Sequence, residues 1–147
     1  MFLFDTDHVV IIQGRSPELR DAIFRRIAAY SLDDFYVSIV TFHEQVTAWQ
    51  SYLNREHRSR QIVRAYAELS RLLGEYTHQQ LIPFDEAAAE KFEALRKQRV
   101  RIGTMDLRIA SIALVNGYTV LTRNLVDFEK VPGLKVEDWT ATPDKPR

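Results

Sequence analysis

The chain has 147 residues and a 46% hydrophobic fraction, which suits one domain with a buried core and leaves little room for a second. Twenty basic and twenty acidic residues cancel, excluding a bulk-basic nucleic-acid coat but not a local basic rim around an acidic centre. The absence of cysteine excludes disulfides and cysteine-ligated metals. The start, Met1-Phe2-Leu3-Phe4-Asp5, is too short in apolar residues for a signal peptide, and no run approaches the roughly 20 needed to span a bilayer. The expected location is therefore the cytoplasm.

Short apolar runs alternate with amphipathic stretches along the chain. Phe2-Leu3-Phe4 is a strand candidate. Ser16-Pro17 offers an N-cap followed by proline at the first helical position, which predicts a helix to about Tyr30. Tyr36-Val37-Ser38 reads as a second strand, Thr41 to about Arg55 as a helix, and Arg58 to Tyr76 as a longer one. Ile62, Tyr66, Leu69, Leu72 and Leu73 recur there at spacings of three and four. Tyr66, Leu69 and Leu73 read as a core or partner stripe. Leu81-Ile82-Pro83 is a third strand with proline at its end. Asp85 caps a helix to about Gln98, and Gly103-Thr104 opens another that Asn116-Gly117 closes. Thr119-Val120-Leu121 is a fourth strand, and Lys135-Val136 starts a fifth. Residues 1–139 thus form one domain, and 140–147, with Pro143 and Pro146, read as a frayed tail.

Strands alternating with helices predict a parallel sheet covered on both faces, an α/β fold whose ligands bind beyond the carboxyl ends of the strands. The acids at those positions are Asp5 and Asp7 after the first strand, Glu44 in the opening turns of the next helix, Asp106 in the first turn after Gly103-Thr104, and Asp127 with Asn124 after the fourth strand. Clustered carboxylates repel and resist desolvation unless a cation lies between them. Mg²⁺ or Mn²⁺ suits such oxygen ligands and can serve phosphodiester hydrolysis. Each acid also has a plainer reading. Asp5 caps the following segment, Asp7 faces solvent or caps a helix, Glu44 completes a Thr41-x-x-Glu44 capping box, Asp106 complements a helix dipole, and Asp127 caps the turn before Phe128.

Four segments in order resemble the PIN-domain nucleases, most closely the VapC-type toxins of toxin–antitoxin pairs. Phe4-Asp5-Thr6-Asp7 is similar to the family's opening strand-Asp-Thr-Asn/Asp. Ser38 to Glu44 resembles Ser-x-x-Thr-x-x-Glu. Gly103 to Ala110 resembles Gly-x-x-Asp-x-x-Ile-Ala, and Leu121 to Phe128 with Val131-Pro132-Gly133-Leu134 resembles the C-terminal block. The likeness runs from Phe4 to Trp139. It implies a three-layer α/β/α sandwich with a five-stranded parallel sheet, and an endoribonuclease using Mg²⁺ or Mn²⁺. Asp5, Glu44 and Asp106 match the family's first three acids. Many members have Asp where this chain has Asn124, so the fourth ligand is left between Asn124 and Asp127. Asp5 and Asp106 would hold the main ion, Glu44 with Asp127 or Asn124 would complete the site or orient the attacking water, and Thr6 and Thr104 would orient carboxylates. A structured RNA such as tRNA is the implied substrate, gripped by basic residues of which Arg15, Lys97, Arg101 and Arg123 are candidates by position. A cognate antitoxin protein and a homodimer are the implied partners.

Two other readings stay open. Asp5-Thr6-Asp7 also fits the opening of haloacid-dehalogenase-type phosphatases, with a nucleophilic first Asp, although Lys97 is a poor match for their lysine. A PIN-like binding module with a dead site is the other. His8, His43, His57 and His78 lack ligand spacing and are read as structural or surface residues.

Overall fold

Each strand is short because both of its faces must be covered, and the chain turns into a helix as soon as it leaves the sheet. The computed structural model describes residues 1–14 and 16–141. Its strands are β1 (Phe2–Phe4), β2 (Phe35–Ser38), β3 (Leu81–Ile82), β4 (Thr119–Leu121) and β5 (Lys135–Glu137). They pair in the order β3-β2-β1-β4-β5, all parallel, with Phe4 beside Val37 on one side and Leu121 on the other. The helices are α1 (Thr6–Gln13), α2 (Pro17–Ile27), α3 (Ile39–Arg55), α4 (Ser59–Tyr76), α5 (Glu86–Lys97), α6 (Thr104–Asn116) and α7 (Leu125–Phe128).

Side chains alternate across the pleat. Leu3 and Val120 join Leu95 of α5 and Leu107, Ile109 and Ile112 of α6 in one buried cluster. Phe2, Phe4, Val37 and Leu121 join Val9 and Ile11 of α1, Ile23 of α2, Leu72 and Tyr76 of α4, and Trp139 in another. The two clusters are the two faces of the sheet, so the fold is the expected three-layer α/β/α sandwich with a five-stranded parallel sheet. No described helix is long and apolar enough to cross a membrane.

Some local expectations are revised. Thr6–Gln13 is a helix, although Val9-Val10-Ile11-Ile12 is a β-branched run with poor helix propensity. Its start is fixed by Asp5, whose side chain accepts from the Thr6 N–H at 2.7 Å, and its buried residues Val9 and Ile11 pack on the sheet. The helix expected from Thr41 begins at Ile39. Ser38 is its cap, accepting from the Thr41 N–H at 3.0 Å, so Thr41 and Glu44 are both inside the helix and form no capping box. On α4, Ala65, Leu72 and Tyr76 are buried while Val63, Tyr66 and Leu73 are exposed, so Tyr66 and Leu73 are surface stripe and not core. Of the expected tail, Thr140 is tied to Asp138 through its N–H and hydroxyl, and residues 142–147 lie outside the described residues, as does Arg15.

Two helix starts that look alike in sequence differ in the structure. Asp85 accepts from the Ala88 N–H at 2.9 Å, whereas Ser16 makes no side-chain capping bond and α2 relies on Pro17. Asp85→Ala should therefore cost about 1 kcal/mol of unfolding free energy, and Ser16→Ala no more than a few tenths. Urea denaturation of the two variants beside the parent checks this, and equal losses would contradict the assignment of the caps.

Candidate active site

The sheet order places the topological switch at β1. The chain leaves β1 towards β2 and β3 on one side and returns to add β4 and β5 on the other. Ligands in such sheets bind in the crevice beyond the carboxyl ends of the strands flanking that switch. The residues there are Asp5 and Thr122, each one past the end of its strand.

Asp5 is 5% exposed. One carboxylate oxygen takes the Thr6 N–H, and the other accepts from Thr122 Oγ1 at 2.8 Å. Burial, then the neighbouring charge of Asp7 and, more weakly, that of Asp106, push its pKa up to about 7 against the lowering pull of those two hydrogen bonds. Asp5 is thus both the helix cap of the plainer reading and a strained acid at the crevice.

Asp106 projects from the first turn of α6. Burial raises its pKa, and Glu44, Asp127 and Asp7 add to the rise. Glu44, in the second turn of α3, accepts from Thr6 Oγ1 at 2.7 Å, and Thr6 Oγ1 lies 3.4 Å from Thr41 Oγ1. Asn124 Nδ2 donates to Asp127 Oδ2 at 3.1 Å and, more weakly, lies 3.5 Å from Asp106 Oδ2. Asp127 also takes Lys130 Nζ at 2.6 Å. That cation and the Asn124 amide hold its carboxyl below the usual range. The expected residues Asp5, Glu44, Asp106 and Asp127 are therefore in one region, with Asp106 feeling the charges of Glu44 and Asp127 and adding to that on Asp5, and Asn124 joins them by hydrogen bonds. Among the described residues, no three Asp, Glu or His side chains yet meet closely enough to share an ion. Neutral donors stand between them: Thr122 on Asp5, Thr6 on Glu44 and Asn124 between Asp106 and Asp127.

Asp7 neither faces solvent freely nor caps a helix. It accepts from the Arg123 N–H at 2.8 Å and from His8 Nδ1 at 2.9 Å, and Thr122 Oγ1 lies 3.4 Å away. Burial raises its pKa, but the bonds from His8 and Arg123 outweigh this and leave it below the usual carboxylate value. His8 is fully buried, and its Nε2 accepts from the Trp139 N–H at 3.2 Å, so the ring proton is on Nδ1 and donated to Asp7. Asp7 and His8 thereby tie the exits of β1 and β4 to the chain after β5. Thr122 was missed from sequence, whereas His8 is a structural residue as read, here buried between Asp7 and Trp139. Thr122 could have been found as the residue one step past β4, while nothing local in the sequence signals the His8 contact. Thr104, expected to orient a carboxylate, is exposed and bonds to none among the described residues.

A family model described as the PIN domain matches residues 2–134. The chain belongs to the PIN domain family. Its relatives include Ribonuclease VapC1 of Rickettsia felis, 50% identical over 42 residues, which are 29% of this chain and 31% of that one. The tRNA(fMet)-specific endonuclease VapC of Salmonella typhimurium is 36% identical over 64 residues, 41% of this chain and 48% of that one. The matched part of this PIN domain thus spans no more than about half the length of either relative. Among solved structures, DNA-bound VapBC from Salmonella typhimurium superposes with a TM-score of 0.67 at 23% identity, covering 94% of this chain and 97% of that one. VapBC2 from Rickettsia felis, bound to a promoter DNA fragment, gives 0.69 at 20% identity, covering 94% and 98%. At these identities the likeness is one of fold. Family membership also gives Asp5-Thr6-Asp7 its PIN reading over the phosphatase one.

The raised pKa of Asp5 carries a signed consequence for stability. A carboxyl that is harder to ionise when folded contributes stability present below its unfolded pKa of 3.8 and lost as pH rises towards about 7. In EDTA, Asp5→Asn should match the parent near pH 4 and be more stable at pH 8, by a few kcal/mol in order of magnitude. Chemical denaturation of both proteins at several pH values checks it. A gap that does not widen with pH would show that Asp5 ionises without penalty.

Proposed function

We propose that this PIN domain, residues 1–139, is a metal-dependent endoribonuclease of the VapC type, the toxin of a toxin–antitoxin pair acting in the cytoplasm on structured RNA such as tRNA. The observation that carries the reading is the buried Asp5 carboxylate at the β1 switch point, within charge range of Asp106 and costly to ionise alone. The names of the two VapC relatives, a ribonuclease and a tRNA(fMet)-specific endonuclease, support it.

The donors fit a divalent cation. Asp5, Glu44, Asp106 and Asp127 offer oxygen only, which suits Mg²⁺ or Mn²⁺, and Asn124, whose amide nitrogen faces Asp106 and Asp127, would turn its carbonyl inward to join them. Asp5 and Asp106 are assigned as the main ligands, with Asn124 or Asp127 as the fourth. When bound, such an ion neutralises phosphate oxygens and makes water a better nucleophile. The side chains do the remaining work. Asp5 is held by Thr122 and Thr6, so its oxygens have a fixed direction. Glu44, anchored by Thr6, orients the attacking water by accepting its hydrogen bond, in line with the departing 3′ oxygen. Asn124 brings no charge, so the fourth negative charge falls to Asp127, which shares its own with Lys130.

The partners we assign are the cognate antitoxin and a second copy of the chain. The exposed Val63, Tyr66 and Leu73 of α4 give an apolar face for one of them. Beside it, Ile39, Phe42, Leu73, Tyr76 and Leu81 line an apolar groove.

The test is cleavage of total tRNA by purified, partner-free protein with Mg²⁺ or Mn²⁺ and with EDTA. Discrete products that need metal are expected. Asp5→Asn, Asp106→Asn and Glu44→Gln should each lower the rate by roughly 10²-fold or more, since each removes several kcal/mol of charge stabilisation. Calorimetry with Mn²⁺ should show uptake that Asp106→Asn weakens. A folded protein that neither binds Mn²⁺ nor cuts any RNA would instead be a binding module with a dead site.

A further inference from the structure

The stretch Arg96-Lys97-Gln98-Arg99-Val100-Arg101 carries four basic residues in six, in a chain whose total charge is zero. It links the end of α5 to the start of α6, and the turn is fixed by Arg99 in the left-handed region at φ 60°. A cleft of about 740 Å³ opens there, lined by Phe92, Arg96, Arg101, Arg108, Thr104 and Asp127 among others. Asp127 on its far wall belongs to the candidate site. Asp127 lies 3.1 Å from the Asn124 amide, which in turn reaches Asp106.

The cationic groups in the cleft are weakly engaged. Among the described residues the one carboxylate that Arg96 meets is that of the exposed Glu93, at 3.3 Å, a pair of little energetic weight in water. Arg108 Nη1 lies against the Met105 sulfur at 3.4 Å. Arg101 is exposed and has no carboxylate partner among the described residues. The guanidinium groups of Arg96 and Arg108 both lie over the Phe92 ring, 5.7 and 5.8 Å from its centroid. An arginine held against an aromatic ring keeps its N–H edges free for phosphate, and the outer face of its planar guanidinium offers a platform for a base. Basic grooves with interleaved aromatics are the general solution for single strands, in which unpaired bases can stack.

We propose that this cleft, between the end of α5 and the start of α6, holds a single-stranded RNA segment adjoining the phosphodiester at the Asp5–Asp106 site. Arg96, Arg101 and Arg108 contact its phosphates, and Phe92 backs the guanidinium groups on which a base stacks. The proposal rests on the ribonuclease reading above and adds to it the residues that grip the strand and a direction: the strand leaves the acids past Asp127 towards α5. A duplex cannot follow this path with its bases stacked on these guanidinium groups, because its bases are already paired and stacked within the helix.

The experiment uses two readouts. Binding of a labelled 12-nucleotide single-stranded RNA, and of a duplex of equal length, is followed by fluorescence anisotropy in EDTA, where no cleavage occurs. Cleavage of tRNA with Mn²⁺ is followed separately. The test protein is the triple variant Arg96→Ala, Arg101→Ala, Arg108→Ala. The control is Arg55→Ala, Arg60→Ala, Arg64→Ala on α3 and α4, which removes equal charge elsewhere. The cleft variant should bind single strands ~10–100-fold more weakly than the control, with a salt slope lower by about 2, since each neutralised phosphate contributes about 0.7. Its KM for tRNA should rise while kcat changes little. Phe92→Leu should weaken single-strand binding ~5-fold or more and leave the salt slope unchanged. Equal binding and KM in the two triple variants overturns the proposal, even where the parent cuts RNA. So does a cleft that takes an acidic peptide in an arginine-dependent way but takes no RNA. Arginine-dependent RNA binding without any metal-dependent cleavage would keep the cleft and sink the nuclease reading instead.

Discussion

The carboxylate of Asp5 lies almost out of water at the carboxyl end of the central strand, where ionisation alone is costly. Much of the surrounding structure follows from keeping it there. Its position is set by β1, which pairs on both sides and so cannot slide without breaking two ladders. Its rotamer is set by two donors from different parts of the chain, the Thr6 N–H one residue on and the Thr122 hydroxyl from the neighbouring strand exit. The first of these also starts α1. One side chain thus joins helix initiation to the chemistry of the crevice, and any change at Asp5 touches both.

The other acids are placed by helices and tempered by neutral groups. Glu44 leans on Thr6, while Asp106 and Asp127 share the Asn124 amide. Such donors lower the repulsion among carboxylates without cancelling it, as the raised pKa of Asp106 shows. Further out, Asp7 holds the turn after β4 through the Arg123 N–H, and His8 holds Asp7 while accepting from the Trp139 backbone. Trp139 in turn packs against Phe2 at 4.8 Å and lies under the Arg26 guanidinium. The aromatic core and the acidic crevice are therefore linked by one buried histidine, so the position of the β4 exit depends on packing well outside the site.

The sheet and most helices were legible because their signals are local: short apolar runs in the strands, Asp85 as a cap and Gly117 as a left-handed closure at φ 68°. The acids were legible because strand exits and helix starts locate them, and because the order of the four segments resembles a family. Helix α1 was not legible, since four β-branched residues argue for a strand and only the cap and the packing of Val9 and Ile11 override them. The Thr41-x-x-Glu44 pattern was open to two readings for a related reason. A capping box and the family's Ser-x-x-Thr-x-x-Glu segment can share the same letters, and only the true start of the helix at Ser38 excludes the box. Contacts such as Thr122 to Asp5 span 117 residues and leave no trace in local pattern. Thr104, chosen for its nearness in sequence to Asp106, turned out to line the neighbouring cleft instead.

A zero net charge conceals a strong separation. Carboxylates gather at the crevice, and arginines gather a short way along the same surface, between α5 and α6. An acidic centre by itself repels a phosphate chain, and the repulsion is largest in the half-buried crevice where water screens least. On the proposed function, a cation among the carboxylates would oppose this repulsion at the crevice, and the arginines beside Phe92 would oppose it along the neighbouring cleft. The first would act on the phosphate that reacts and the second on its neighbours, so the fixed arginines would give the polymer its direction and the acids would set where along it the cut falls.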